Sequence, residues 1–356
     1  MELKETNYKN EKLDEINAEK SPIEKDRKIK QPPVLFKNTQ SLISKVEEML
    51  GHKMIVYWTS GRGSVCQNDV LALYEVFKKI GKNEQLSIFI KSDGGDVEAA
   101  LRIVNLIRTY SENVTALVPL NCASAATMIA LGANEISMGP LSFITAIDSS
   151  IAHDLSPIDE RENSRVTVSQ DELQRIIRLW GENSKEHHGH PYTDLFQYVH
   201  PLVIGALDRS SSLSIKICKE ILSYHIDDDN ECDRISNHLN SDYPSHGYPI
   251  TAREATRIGL NISNLNEDIN NVLLELNKHY SEMAQKALTD YDENNYHDNE
   301  ISNILETKGT QVFYQNDKDW NYIPNERRWQ VLNNESSWRK IEDIDGKVIN
   351  DTFYIA

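Results

Sequence analysis

The chain has 356 residues and a mass of 40.7 kDa, room for one large domain with attachments or for two domains. Lys and Arg total 38 against 55 Asp and Glu, and the net charge of −17 argues against a general nucleic-acid binder and against an anionic membrane surface as partner. Hydrophobic residues make up 39%, so part of the length is expected to lie outside any core. In chain order, residues 1–37 mix Lys and Glu and lack the apolar run of a signal peptide; they read as a disordered leader. Residues 38–50 carry helical spacing at Leu42, Ile43, Val46, Met49 and Leu50, and Gly51 ends that helix. A strand at 54–58 (MIVYW), a helix at 69–80, a strand at 87–91 (SIFIK), a turn at 92–96 (SDGGD) and a helix from Val97 to Tyr110 follow. Then come a strand at 114–120, a turn opening a helix near 123–133, and a strand at 135–138 (EISM). This repeated strand–turn–helix order predicts parallel β/α units with both faces of the sheet covered.

The uncharged run from Thr115 to Ala133 is long enough to span a bilayer, yet Pro119, Asn121, Ser124 and Thr127 interrupt it. A strand, a tight turn and a buried helix describe it better. Beyond residue 150 the pattern changes. Residues 154–190 read as a polar insertion, 193–224 as mainly helical, 227–233 (DDDNECD) as an acidic loop, and 246–260 as a loop with a short helix. The main domain is placed at 38–265, a helix and linker at 266–300, and a small β-rich appendage rich in Trp and Tyr at 301–356. Cys66, Cys122, Cys218 and Cys232 form no CxxC pair and no zinc-type spacing, so a reducing, cytoplasmic setting is the default.

Two motifs carry chemistry. Ser92-Asp93-Gly94-Gly95-Asp96 lies between a strand and a helix, where two glycines let backbone approach a ligand and aim N–H groups outward; a plain tight turn with Asp96 as helix cap is the simpler reading. No GxxxxGK[ST] is present, which excludes a nucleotide triphosphate loop. Asn121-Cys122-Ala123-Ser124-Ala125-Ala126-Thr127 places a serine at a strand-to-helix turn, where helix N–H groups stabilise negative charge; the simpler reading is that Ser124 only caps the helix.

Taken together, the two motifs resemble the Clp/crotonase-fold serine peptidases, and within them the serine dehydrogenase proteinase and signal-peptide-peptidase (SppA-like) branch related to ClpP. The matching residues are SDGGDVEAALRIVNLIR (92–108), VTALVPLNCASAATMIALGANEISMGPLS (114–142), AID (146–148) and YPSHGYPITAREATRIGL (243–260), within a resemblance that covers about 41–262. It implies a ClpP/crotonase-type repeated ββα superhelix with a parallel sheet, a polypeptide substrate, a homo-oligomer and no metal or other cofactor. By the resemblance Ser124 is the nucleophile, Gly94 and Gly95 the glycine pair that contributes an oxyanion N–H, Ala125 the other N–H, and Asp148 part of the site. Two positions depart from the family pattern: Asp93 stands for the usual proline, and Thr145-Ala146 for Gly-Pro. The family histidine position falls on Ile147, which leaves His246, His153 and Lys185 as alternatives for the base, with His246 favoured; a purely structural His246 bonding its turn is the competing reading.

His187, His188 and His190 with Asp194 read as a solvated loop rather than a zinc site, and Asp227-Asp228-Asp229 lacks the pattern of a calcium loop. The function implied is a serine-type peptidase working through a Ser124 acyl-enzyme. The alternatives are a catalytically weak or inactive scaffold of the same fold that binds proteins, an acyl-thioester enzyme, for which no basic CoA-phosphate cluster is present, and a membrane-associated protease, for which no anchor is present.

Overall fold

The computed structural model describes residues 28–148, 150–159, 164–183 and 190–355. Its first half is a run of parallel β/α units. Helix α1 (Phe36–Leu50) leads into β1 (Lys53–Thr59), α2 (Gln67–Ile80), β2 (Gln85–Lys91), α3 (Val97–Tyr110), β3 (Asn113–Val118), α4 (Ala125–Leu131) and β4 (Glu135–Met138). The second half adds α5 (Gln170–Asn183), α6 (Pro191–Leu195), α7 (Pro201–Leu222), α8 (Asp229–Ser241), α9 (Ala252–Arg257), β5 (Ile262–Asn264) and α10 (Glu267–Met283). The strands β6 (Ala287–Asp290), β7 (Asn295–Thr307), β8 (Thr310–Ile323), β9 (Arg328–Asn334), β10 (Ser337–Ile344) and β11 (Lys347–Phe353) complete the chain.

These eleven strands form one sheet, along the path β5-β4-β3-β2-β1-β7-β8-β10-β11, with β6 on β7 and β9 on β8. The five strands from β5 to β1 are mutually parallel, as the repeated units predict. Strand period decides which core each residue enters. Along β1, Ile55 and Tyr57 face the α2, α3 and α4 side, while Met54, Val56 and Trp58 face α1 and α10. Both faces are covered, which is why β1 and β2 read as continuous apolar runs.

A second, shorter ladder runs along the carboxyl ends of the parallel strands. Val65 pairs with Gly95, Ser92 with Cys122, Asn121–Cys122 with Phe143–Ile144, and Ile144 with Ile250. Each parallel unit therefore contributes a core strand and a short rim strand, the ββα repeat expected. The uncharged run at 115–133 resolves into β3, the rim strand, a turn at Ser124 and the seven-residue α4. Among the described residues no helix is long and apolar enough to cross a membrane.

Two segments differ from the sequence reading. Residues 286–300, expected as linker, form β6 and the start of β7, and β7 lies antiparallel to β1, so the C-terminal strands continue the central sheet. The cause is a polar interior: Asp298, Asn299, Asn303 and Glu306 are buried on β7, and Glu306 accepts from Thr39, Gln40, Tyr280 and Gln311 side chains. Polar alternation hides such a strand. The acidic stretch 227–233 is the start of α8: Asp228 accepts the Asn230 N–H at 2.9 Å, and Asp229 and Glu231 fill the first turn, where the helix dipole favours negative charge.

Candidate active site

The site assembles on the rim ladder. Ser92 is fully buried and ties the two motifs together. Its Oγ accepts from Thr59 Oγ1 (2.8 Å) and from Gly94 N–H (3.2 Å), its N–H donates to Asn121 O (3.2 Å), and its carbonyl accepts Ala123 N–H (2.9 Å). The Gly-Gly turn is thereby held in register with the turn that carries Ser124.

Both glycines are required by geometry. Gly94 has φ +102°, and a Cβ there would lie 2.6 Å from Ser124 Cβ and 2.8 Å from Ala123 O. Gly95 has φ +150°, and a Cβ would lie 2.4 Å from Val65 O. The turn's hydrogen bonds are nearly all taken: Val65 N–H donates to Gly94 O (2.8 Å), Asp96 N–H to Val65 O (2.9 Å), and Gly94 N–H to Ser92. Asp96 also caps α3, accepting Glu98 and Ala99 N–H, so the simpler reading of that residue holds as well. Among the described residues, the Gly95 N–H and the Ala125 N–H at the start of α4 have no partner. Gly94, with its own N–H engaged, supplies space beside Ser124 rather than a free donor.

Ser124 occupies the N-cap position of α4 with φ 53° and ψ −121°, a conformation rare for a residue with a side chain. Its side chain makes no capping hydrogen bond. A capping role therefore does not explain the residue. The strain is held by Thr145, whose Oγ1 accepts the Ser124 N–H at 2.8 Å and donates to Ala146 O at 3.1 Å. Thr127 secures Thr145 in turn: its Oγ1 donates to Cys122 O (2.9 Å) and accepts Thr145 N–H (3.2 Å). The sequence reading treated Thr145 as a departure from a pattern and missed this role, which depends on where the rim strand lies against the Ser124 turn.

His246 and Asp148, 98 residues apart, are brought together with Nδ1···Oδ1 at 2.7 Å. The rim ladder does this: Ile144 exchanges both backbone hydrogen bonds with Ile250, and Ile147 N–H donates to Leu239 O. The Asp148 side chain is 9% exposed and that of His246 is 42% exposed. The Asp148 hydrogen bond raises the imidazole pKa above its ordinary value, against the opposing effect of partial burial. The same segment, Thr145 to Asp148, therefore touches Ser124 at one end and His246 at the other.

Of the remaining candidates, those among the described residues are engaged elsewhere. Ile147 is buried in the core. His153 Nδ1 accepts the Leu155 N–H of its own turn (3.0 Å). Lys185, His187 and His188 lie outside the described residues, and His190 caps α6 through the Tyr192 N–H. Among the described residues no cluster of His, Cys, Asp and Glu could hold a metal ion. Asp93, placed by sequence near the oxyanion donors, is exposed and accepts from the Asn121 side-chain amide. All four cysteines carry free thiols; burial pushes the half-buried Cys66 up to about 11.

No curated protein matches the chain. The family model of the Clp protease matches residues 38–186. Among solved structures, a variant of the 1510-N membrane-bound stomatin-specific protease is similar at 16% identity and a TM-score of 0.36, covering 66% of this chain and 84% of that one. ClpP1 from Listeria monocytogenes is similar at 17% identity and a TM-score of 0.33, covering 65% of this chain and 98% of that one. The Clp protease match spans less than half of the chain, and that segment holds both the Gly-Gly turn and Ser124.

Proposed function

We propose that the protein is a serine peptidase in which Ser124 forms an acyl-enzyme with the carbonyl carbon of a peptide bond. The observation that carries this reading is the strained, non-capping Ser124 on a turn packed against Gly94, with the N–H groups of Gly95 and Ala125 on those two turns unpartnered among the described residues. In the mechanism Ser124 Oγ attacks the carbonyl and the imidazole of His246 takes its proton. Asp148 holds the Nδ1–H, which leaves Nε2 as the accepting nitrogen and stabilises the imidazolium that forms. The Gly95 and Ala125 N–H groups receive the oxyanion, charge that develops only in the transition state. His246 then gives the proton to the leaving amine, and water hydrolyses the ester by the same steps in reverse order.

Hydrolysis of an unfolded protein and of fluorogenic peptides by the full chain, compared with Ser124→Ala, tests this. Turnover by the wild type that Ser124→Ala lowers by about three orders of magnitude or more is the expected result. Equal turnover by the two proteins contradicts the nucleophile assignment. A well-folded wild type with no turnover and no acylation favours the protein-binding scaffold instead.

A further inference from the structure

A cavity of about 390 Å³ opens at the carboxyl ends of β1 and β2, on the α10 side of the sheet, lined by Trp58, Ser60, Arg62, Lys91 and Ser281 among others. Ligands of open α/β sheets bind at this end of the strands. Lys91 is the last residue of β2, directly before the Gly-Gly turn, and is half-buried. An ammonium has three donors. Among the described residues Lys91 Nζ makes one hydrogen bond, to Thr59 O at 2.9 Å, lies 4.9 Å from the centroid of the Trp58 ring, and has no ion-pair partner. Partial burial lowers its pKa from the ordinary lysine value, with Asp93 acting weakly in the other direction.

Arg62, exposed at the mouth, pairs with the buried Glu300, so its charge is already met. Asp93 is bound by Asn121, not by Lys91. A desolvated cation left without an anion is costly, and the cost falls when a carboxylate enters. In a chain of net charge −17 such a cationic recess is out of keeping with the rest of the composition.

The turn that follows Lys91 lies between the edge of the cavity and Ser124. A Cβ on Gly61 would sit 4.0 Å from Asp93 Oδ2, and Gly94, the next residue, packs on Ser124. We infer that the Lys91 recess is a subsite for a carboxylate of the peptide substrate, either an acidic side chain or a free C-terminus. The inference rests on the peptidase reading for the word substrate, while the binding it requires is measurable without turnover.

The test uses the full chain carrying Ser124→Ala, titrated by calorimetry with three N-acetyl pentapeptides of otherwise equal sequence. One is neutral with a C-terminal amide, one has a single Glu and an amide, and one is neutral with a free carboxylate. At least one carboxylate peptide is expected to bind about tenfold tighter than the neutral one. Which of the two does so identifies the source of the carboxylate. Adding Lys91→Met should erase the preference, and adding Lys91→Arg should keep most of it. Equal affinity for all three peptides, or a preference that survives Lys91→Met with the melting curve unchanged, overturns the inference. Failure of the peptidase reading shows separately, as absent turnover by the chain that retains Ser124.

Discussion

Gly94 and Ser124 are in van der Waals contact across the two turns, and no side chain fits between them: a Cβ on Gly94 would lie 2.6 Å from the Ser124 Cβ. The positive φ of Gly94 adds strain to that collision for any other residue. Gly94→Ala is expected to destabilise the fold by roughly 1–3 kcal/mol and to displace Ser124. Urea unfolding combined with acylation by a serine-directed probe checks this. Full acylation with wild-type stability would show that the two turns are not packed as described.

Strain at Ser124 leads to a second prediction that separates stability from activity. With φ 53° and ψ −121°, Ser124 should be relieved by glycine and not by alanine, because alanine keeps the Cβ. Ser124→Gly should raise stability by about 1 kcal/mol relative to Ser124→Ala, both without activity. Thermal melts of the two variants give the answer.

Thr145 holds the proposed nucleophile through the Ser124 N–H. Thr145→Val keeps the shape and removes the acceptor, leaving a polar group unpaired at a cost of about 1–3 kcal/mol. A tenfold or greater fall in kcat with KM nearly unchanged is expected, as is recovery in Thr145→Ser. Equal loss in both variants would mean that the methyl packing, not the hydrogen bond, matters.

The pH dependence follows from His246. In the proposed mechanism His246 is the base and must be neutral to accept a proton; Asp148 raises its pKa, so the acidic limb of kcat/KM should lie above the ordinary His value of about 6.5. Asp148→Asn should lower kcat and move that limb to lower pH. The stability linkage has the opposite sign: a raised folded-state pKa stabilises the fold below the unfolded-state value, and the contribution is lost as pH rises through the folded-state value. A limb that stays in place in Asp148→Asn would detach the pair from catalysis.

Much of this was legible in the sequence, because apolar periodicity and glycine placement are local. MIVYW, SIFIK and EISM are strands, and the two motifs mark the rim turns that hold Ser124 and Gly95. The Asp148–His246 contact became visible through family likeness and not through spacing, since 98 residues separate the pair. Thr145 stayed hidden because its hydroxyl matters only where the rim strand lies against the Ser124 turn. Lys91 stayed hidden because a lysine closing a strand reads as solvated until Trp58 and Thr59 are seen to enclose it. Strand β7 was obscured by buried Asn303 and Glu306, which bond side chains of α1, α2 and α10 where an apolar residue would pack.

The central claim is that Ser124 is an activated nucleophile. Intact-mass and peptide-mapping mass spectrometry after exposure of the folded full chain to a fluorophosphonate tests it most directly. The account predicts one adduct per chain, located on Ser124, absent in Ser124→Ala and formed more slowly in His246→Ala. No adduct on the folded wild type, or the same adduct on Ser124→Ala, would contradict it.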